Sequence, residues 1–177
     1  MAGITCFIER RLKLKVNRAK SAVARAGRRK LLGFSFTLGS RPKRRIATEA
    51  LRRFRERVRG LTWRSNGISM SQRIRRLRQY LIGWRAYFGY CETPSVLADL
   101  DKWVRRRLRC VLWKQWRRSR NRYRELRRRG VDGLLAAQTV GSACRCWRIS
   151  KSPALSYALP NAYFSELGLP QLCLAAS

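Results

Sequence analysis

The chain has 177 residues, of which 42 are Lys or Arg and only nine Asp or Glu, with no His, for a formal net charge of +33. Hydrophobic residues make up 45%, with six each of Trp, Tyr and Phe, which excludes the aromatic-poor make-up of a disordered tail and leaves room for one domain with a real core. Charge of that size would repel itself in a compact chain, so a polyanionic partner is expected; nucleic acid fits best, because each neutralised phosphate releases counterions.

The charge is uneven. Residues 131–177 hold three basic and two acidic side chains, so residues 1–130 carry the remaining 39 and seven. The first part is therefore the polyanion-facing one, and the rest reads as a segment that docks on it. Apolar runs fall far short of the roughly 18 residues that span a bilayer, so a soluble chain without a membrane partner is expected. The six cysteines include no CxxC pair and have no His beside them, which favours reduced thiols in a cytoplasmic setting over a zinc site. No cofactor or metal is expected. The first 30 residues are Arg-rich and nearly acid-free like an organelle leader, but the same character runs on for a further hundred residues and so marks the whole protein.

In chain order, residues 4–12 read as a short amphipathic helix. Two β-prone runs, SAVARA (21–26) and KLLGFSFTL (30–38), flank Gly27, Arg28 and Arg29 as a hairpin. In the second run Leu32, Phe34, Phe36 and Leu38 alternate toward one face, with Gly33 where a neighbour approaches closely. Residues 39–42 break the strand and read as a linker. From Thr48 as N-cap, TEALRRFRERVRG buries Leu51, Phe54 and Val58, ends at Gly60, and turns Arg52, Arg53, Arg55, Arg57 and Arg59 outward.

A second long helix opens on a capping box, Ser69 with Gln72. Met70, Ile74, Leu77, Leu81, Trp84 and Phe88 recur at spacings of three and four, which predicts one buried stripe. Gly83 in mid-helix predicts a helix crossing closely. Tyr80 and Tyr87 fall on the flank shared with Arg73 and Arg76. The next helix starts at Thr93 and Pro94, buries Leu97, Leu100, Val104, Leu108, Leu112 and Trp116, and carries Asp99 and Asp101 as complements to its dipole. Residues 102–129 hold 14 cations and one acid, Glu125, with a break expected near residues 119–121. Short helices follow in VDGLLAAQTV, PALSYAL and NAYFSELGL, with WRISKSP (147–153) as a loop.

LKLKVNRAKSAV (12–23) and LLGFSF (31–36) resemble the last blocks of the reverse transcriptase domain of bacterial group II intron-encoded proteins. RRLRQYLIGWRAYF, LDKWVRRRLRCVLWKQW and WRISKSPALSYALPNAYFSELGL resemble, in the same order, their maturase-specific domain. The resemblance implies a mainly α fold: a short helix and β-hairpin as palm remnant (1–39), a basic α-helical thumb and maturase bundle (40–130), and a small helical C-terminal segment (131–177). It places Lys20, Leu32, Gly33 and Phe34 beside the polymerase centre of relatives. It also implies group II intron RNA as partner, with a DNA target or RNA–DNA duplex and a separately encoded palm and fingers fragment as further candidates.

The departure matters as much. Relatives hold two metal ions with a palm Tyr-Ala-Asp-Asp strand, whereas this chain has three aspartates, Asp99, Asp101 and Asp132, none adjacent; the metal-binding HNH nuclease domain of many relatives needs histidines. The chain thus reads as the part beginning after the catalytic strand, not an enzyme by itself. An RNA-binding maturase module is the expectation, with the non-catalytic half of a split reverse transcriptase, or a decayed intron remnant with no selected role, as alternatives. The expected RNA contacts are Arg73, Arg76 and Arg85, then Lys102, Arg105, Arg106, Arg109, Lys114 and Arg117, then Arg148 and Lys151 beside Trp147. The expected core supporting them is Leu77, Leu81, Trp84, Phe88, Leu100, Val104, Leu108 and Leu112.

Overall fold

A computed structural model describes residues 2–17, 21, 24, 27, 30–63 and 67–173. Lys20 and most of the run 21–26 lie outside them. Helix α1 (Ala2–Arg11) falls where the short N-terminal helix was expected, and it buries no side chain. Strands β1 (Phe34–Phe36) and β2 (Arg44–Ile46) pair antiparallel, Phe34 opposite Ile46. Residues 39–42 are thus the connection within a hairpin and not a linker between parts.

The long alternating strand is also corrected. The chain turns at Leu32 and Gly33, both at positive φ (50° and 80°), where the Leu31 and Phe34 backbones exchange two hydrogen bonds of 2.9 Å. That turn exposes Leu32, and Ser35 is the residue the short strand buries. Gly33 does meet a close neighbour: a β-carbon there would lie 3.1 Å from the Phe88 ring.

The rest is helical: α2 (Thr48–Leu61), α3 (Met70–Phe88), α4 (Pro94–Gln115), α5 (Ser119–Arg128), α6 (Gly133–Gly141), α7 (Cys146–Ile149), α8 (Pro153–Ala158) and α9 (Asn161–Glu166). No helix among the described residues is long and apolar enough to cross a membrane. The cap at Ser69 forms as expected, its hydroxyl accepting from the Gln72 amide at 3.2 Å. The start of α2 differs, since its N-cap is Ala47 and no side chain caps it; Gly60 is an interior residue, with Thr62 at the C-cap. WRISKSP begins inside a helical turn, α7, and α4 stops at Gln115, slightly ahead of the expected break.

Phe54 and Val58 of α2 meet the stripe of α3, the Phe54 and Trp84 rings 4.5 Å apart between centroids. From Trp84 the aromatic run continues to Phe88 at 4.7 Å and to Phe34 at 5.2 Å, which fastens the hairpin to α3. Leu77, Leu81, Trp84, Leu100, Val104, Leu108 and Leu112 are buried, and Phe88 is half-buried against them. One continuous apolar cluster runs from Ile46 to Leu172. Among the described residues Gly83 has no crossing neighbour; a β-carbon there meets nothing within 4 Å.

Over residues 108–113 α4 is covered on several sides: Leu108, Cys110, Val111, Leu112 and Trp113 are all buried, a run no single stripe can produce. It is the central helix. α7 packs along it, and α6 and α8 pack on α5 and on each other.

Candidate nucleic-acid interface

Cations divide into two populations, and the division follows helix geometry. Arg73 lies three residues after Met70 and four before Leu77, inside the α3 stripe. It is fully buried, and its guanidinium donates to the carbonyls of Trp63 (2.8 Å) and Leu61 (3.3 Å). Leu61 ends α2, where unpaired carbonyls and the helix dipole favour a cation. Burial, and secondarily the neighbouring Arg76 charge, lowers the Arg73 pKa, although a guanidinium stays charged. Arg73 therefore faces inward and joins two helices, contrary to its expected place on an outer face.

The arginines of α4 behave likewise, which corrects the expectation of an open basic face there. Arg105 is buried. Arg106 stacks 3.8 Å over the Trp147 ring and donates to the Trp147 carbonyl at 2.7 Å and to the Ser150 hydroxyl at 3.3 Å. Arg109 donates to the Leu159 carbonyl, at the end of α8, at 2.9 Å, and to Asn161 Oδ1 at 3.4 Å. Burial lowers the pKa of both Arg106 and Arg109. Arg107 donates to the Thr62 hydroxyl at 2.7 Å. On α3, Arg85 donates to the Gln171 carbonyl at 3.1 Å. Through main-chain oxygens, and at Thr62 a side-chain hydroxyl, these long side chains fasten the C-terminal segment to α3 and α4 and the residue after α2 to α4.

The second population is outside. Of the expected contact residues, Arg76, Lys102, Lys114, Arg117, Arg148 and Lys151 are exposed; Lys102 lies 3.6 Å from Asp99. Arg148 and Lys151 flank the Arg106–Trp147 stack. The exposed members of the expected set thus lie on α3, on α4 and the turn after it, and at α7 and the turn after it.

Other exposed cations lie on α2 and α3, and in and around α5 at Arg118, Arg120, Arg124, Arg127 and Arg128. Arg52, Arg53, Arg55, Arg57 and Arg59 all lie on the outward arc of α2, with one internal pair, Arg52 to Glu56 at 3.0 Å. Arg75, Arg76 and Arg78 are exposed on α3. Between the two helices Tyr80 packs on Phe54, ring centroids 5.8 Å apart. Burial pushes its phenol pKa up, and the Arg57 charge opposes that shift; Arg57 lies one helical turn after Phe54 on α2. Arg53, one turn from Arg57, and Arg76, one turn from Tyr80, extend the same basic strip. Tyr87, at the far end of that flank, donates to the Leu32 carbonyl at 2.8 Å and ties down the hairpin turn. The α2 arginines were placed outward by the sequence pattern, yet they stood outside the expected contact set; the amphipathic arc was the signal for them.

The three aspartates occupy separate places. Asp101 is buried and accepts from the Leu172 amide at 3.0 Å and 3.1 Å on its two oxygens, and from the Cys173 amide at 3.0 Å. It holds the C-terminal segment, a role distinct from dipole complement. Asp132 caps α6 by accepting from the Leu134 and Leu135 amides, and those bonds, that to Leu135 foremost, lower its pKa.

Residues 51–130 match the family model described as "Group II intron, maturase-specific domain". The match opens within α2 and closes at the turn after α5, so it contains the basic strip and the central helix. No curated protein matches the chain.

Proposed function

We propose, from a chain that carries the group II intron maturase-specific domain across residues 51–130, that it binds group II intron RNA by its phosphates and holds that RNA in the fold from which it splices. The matched domain is the one associated with intron RNA binding and splicing. One observation carries the reading for this molecule: the arginines of α2 and α3 that the core does not take up form an outward strip along a rigid two-helix seam. Their planar forks suit phosphate oxygens, and their stems are positioned by the helices beneath, so little ordering is needed on binding.

In this reading the RNA supplies the chemistry and the protein supplies geometry. Asp99 beside Lys102, Asp101 on the Leu172 and Cys173 amides and Asp132 on α6 each have a structural task, which supports a non-catalytic role. Phosphate contact carries no base information, so a DNA target or an RNA–DNA duplex would engage the same strip.

Filter binding of the purified chain to group II intron RNA across a salt series tests it. Affinity should fall steeply, the log–log slope growing by roughly 0.7–0.9 for each phosphate neutralised. A flat dependence overturns the reading.

A second reading, a separately encoded polymerase palm as protein partner, is favoured by the N-terminal surface. Leu31, Leu32 and Leu38 are 65%, 75% and 83% exposed, and Ile4 and Phe7 of α1 are exposed as well. Co-expression with such a palm should yield a complex that extends a primer, and failure to co-purify rejects it.

A further inference from the structure

Where α5 ends, a cleft of about 520 Å3 opens between Arg128 and Arg129 on one side and Tyr157, Pro160, Tyr163 and Glu166 of the α8–α9 region on the other. That is within the size of small-ligand clefts, roughly 300–1,000 Å3. Of its lining only the Arg128–Arg129 wall is inside residues 51–130.

One wall is fixed. Tyr163 is half-buried and meets Phe164 edge-on at 5.2 Å between centroids. The Arg129 guanidinium sits 5.7 Å from the Tyr163 ring and 5.3 Å from the Trp116 ring, and donates to Glu125 at 2.5 Å. The other wall is an open ring. Tyr157 is 65% exposed although it stands on a helix whose Ala154, Leu155 and Ala158 are buried. Gly130, at φ 80°, brings the backbone beside that ring, since a β-carbon there would lie 3.5 Å from it. Arg128 and Glu166 are exposed at the rim.

An accessible aromatic face, a rigid second aromatic wall, a cation and a carboxylate suit the parts of a nucleotide: ring, phosphate and exocyclic amino group. We infer that this cleft takes one unpaired nucleotide of the bound RNA, its base on Tyr157, its phosphate on Arg128 and its amino group donating to Glu166. The inference rests on the RNA-binding reading and gives it a single-strand subsite. A base inside a duplex is stacked on its neighbours and cannot enter, so the cleft selects loops and bulges. Glu166 accepts hydrogen bonds only, which favours cytosine, with its N4 amino donors, over uracil.

The test uses the whole chain with labelled short oligocytidine, oligouridine and a fully paired RNA of the same length, read by fluorescence anisotropy. Tyr157→Ala should weaken oligocytidine binding about tenfold, the scale of one lost base–aromatic stack, with duplex binding unchanged. Tyr157→Phe should keep wild-type affinity, and Glu166→Gln should narrow the preference of cytidine over uridine. Loss on Tyr157→Ala that is equal for single strand and duplex overturns the cleft, because a general loss of fold or charge would act on both. So does an unchanged affinity, or a wild type that binds oligouridine as well as oligocytidine. If the wild type binds none of the three, the RNA-binding reading falls and the cleft with it; if it binds the duplex normally and only the Tyr157 effect is missing, the cleft alone falls.

Discussion

Gly83 sits in the middle of α3 with open space where its side chain would be. Neither its φ nor a neighbour requires glycine there, so the residue only adds backbone freedom that folding must remove. Gly83→Ala should stabilise the protein by about 1 kcal/mol, a rise of roughly 2–4 °C in melting temperature for a chain of this size. A lower melting temperature would mean that something does approach that turn of helix. Arg73 shows the opposite case. Residue type alone places an arginine outside, but its position between Met70 and Leu77 puts it in the stripe, and the unpaired carbonyls at the end of α2 give it partners. The periodicity carried that information, and the charge obscured it.

For whole elements, what could be read depended on the distance to the partner. The α3 stripe and the Ser69 cap depend on residues within a few turns, and both formed as the spacing required. Pro94 at the start of α4 did too, while Thr93 before it offers no side-chain cap. The centrality of α4 was hidden because its second cover comes from residues 144–172, which are far off in the chain. Asp101 is the sharpest instance: its partners are main-chain amides 71 and 72 residues away, and an amide N–H has no sequence signature. A carboxylate that takes these bonds fastens the chain end to the central helix. Asp101→Asn replaces one acceptor oxygen with an N–H donor facing other donors, at a cost of about 1.5–3 kcal/mol. The Leu172 and Cys173 amides should then lose protection from hydrogen exchange while those of α2 and α3 keep theirs. Unaltered protection at residue 172 would show that the apolar contacts of Leu169 and Leu172 hold the segment unaided.

Across the whole molecule, a net charge of +33 on 177 residues is tolerable because cations do two kinds of work that composition cannot separate. Inside, arginines on α3 and α4 bond carbonyls and lie on aromatic rings; outside, arginines on α2 and α3 face solvent. Paired charge reversals tell the two apart. Arg57→Glu with Arg76→Glu changes two exposed positions beside the Tyr80 seam. It should leave the melting temperature within about 2–4 °C, each surface change of this kind being worth about 0.5 kcal/mol or less. RNA affinity should nonetheless fall by at least tenfold at moderate salt, with a shallower salt slope, because two phosphate contacts become repulsive. Arg105→Glu with Arg109→Glu should do the reverse in kind. It buries a carboxylate at position 105 and takes the donor from the Leu159 carbonyl, so the fold loosens first, by several kcal/mol, and RNA binding is lost with it. Equal melting temperatures for both pairs, with equal losses of binding, would return the α4 arginines to the RNA-facing surface.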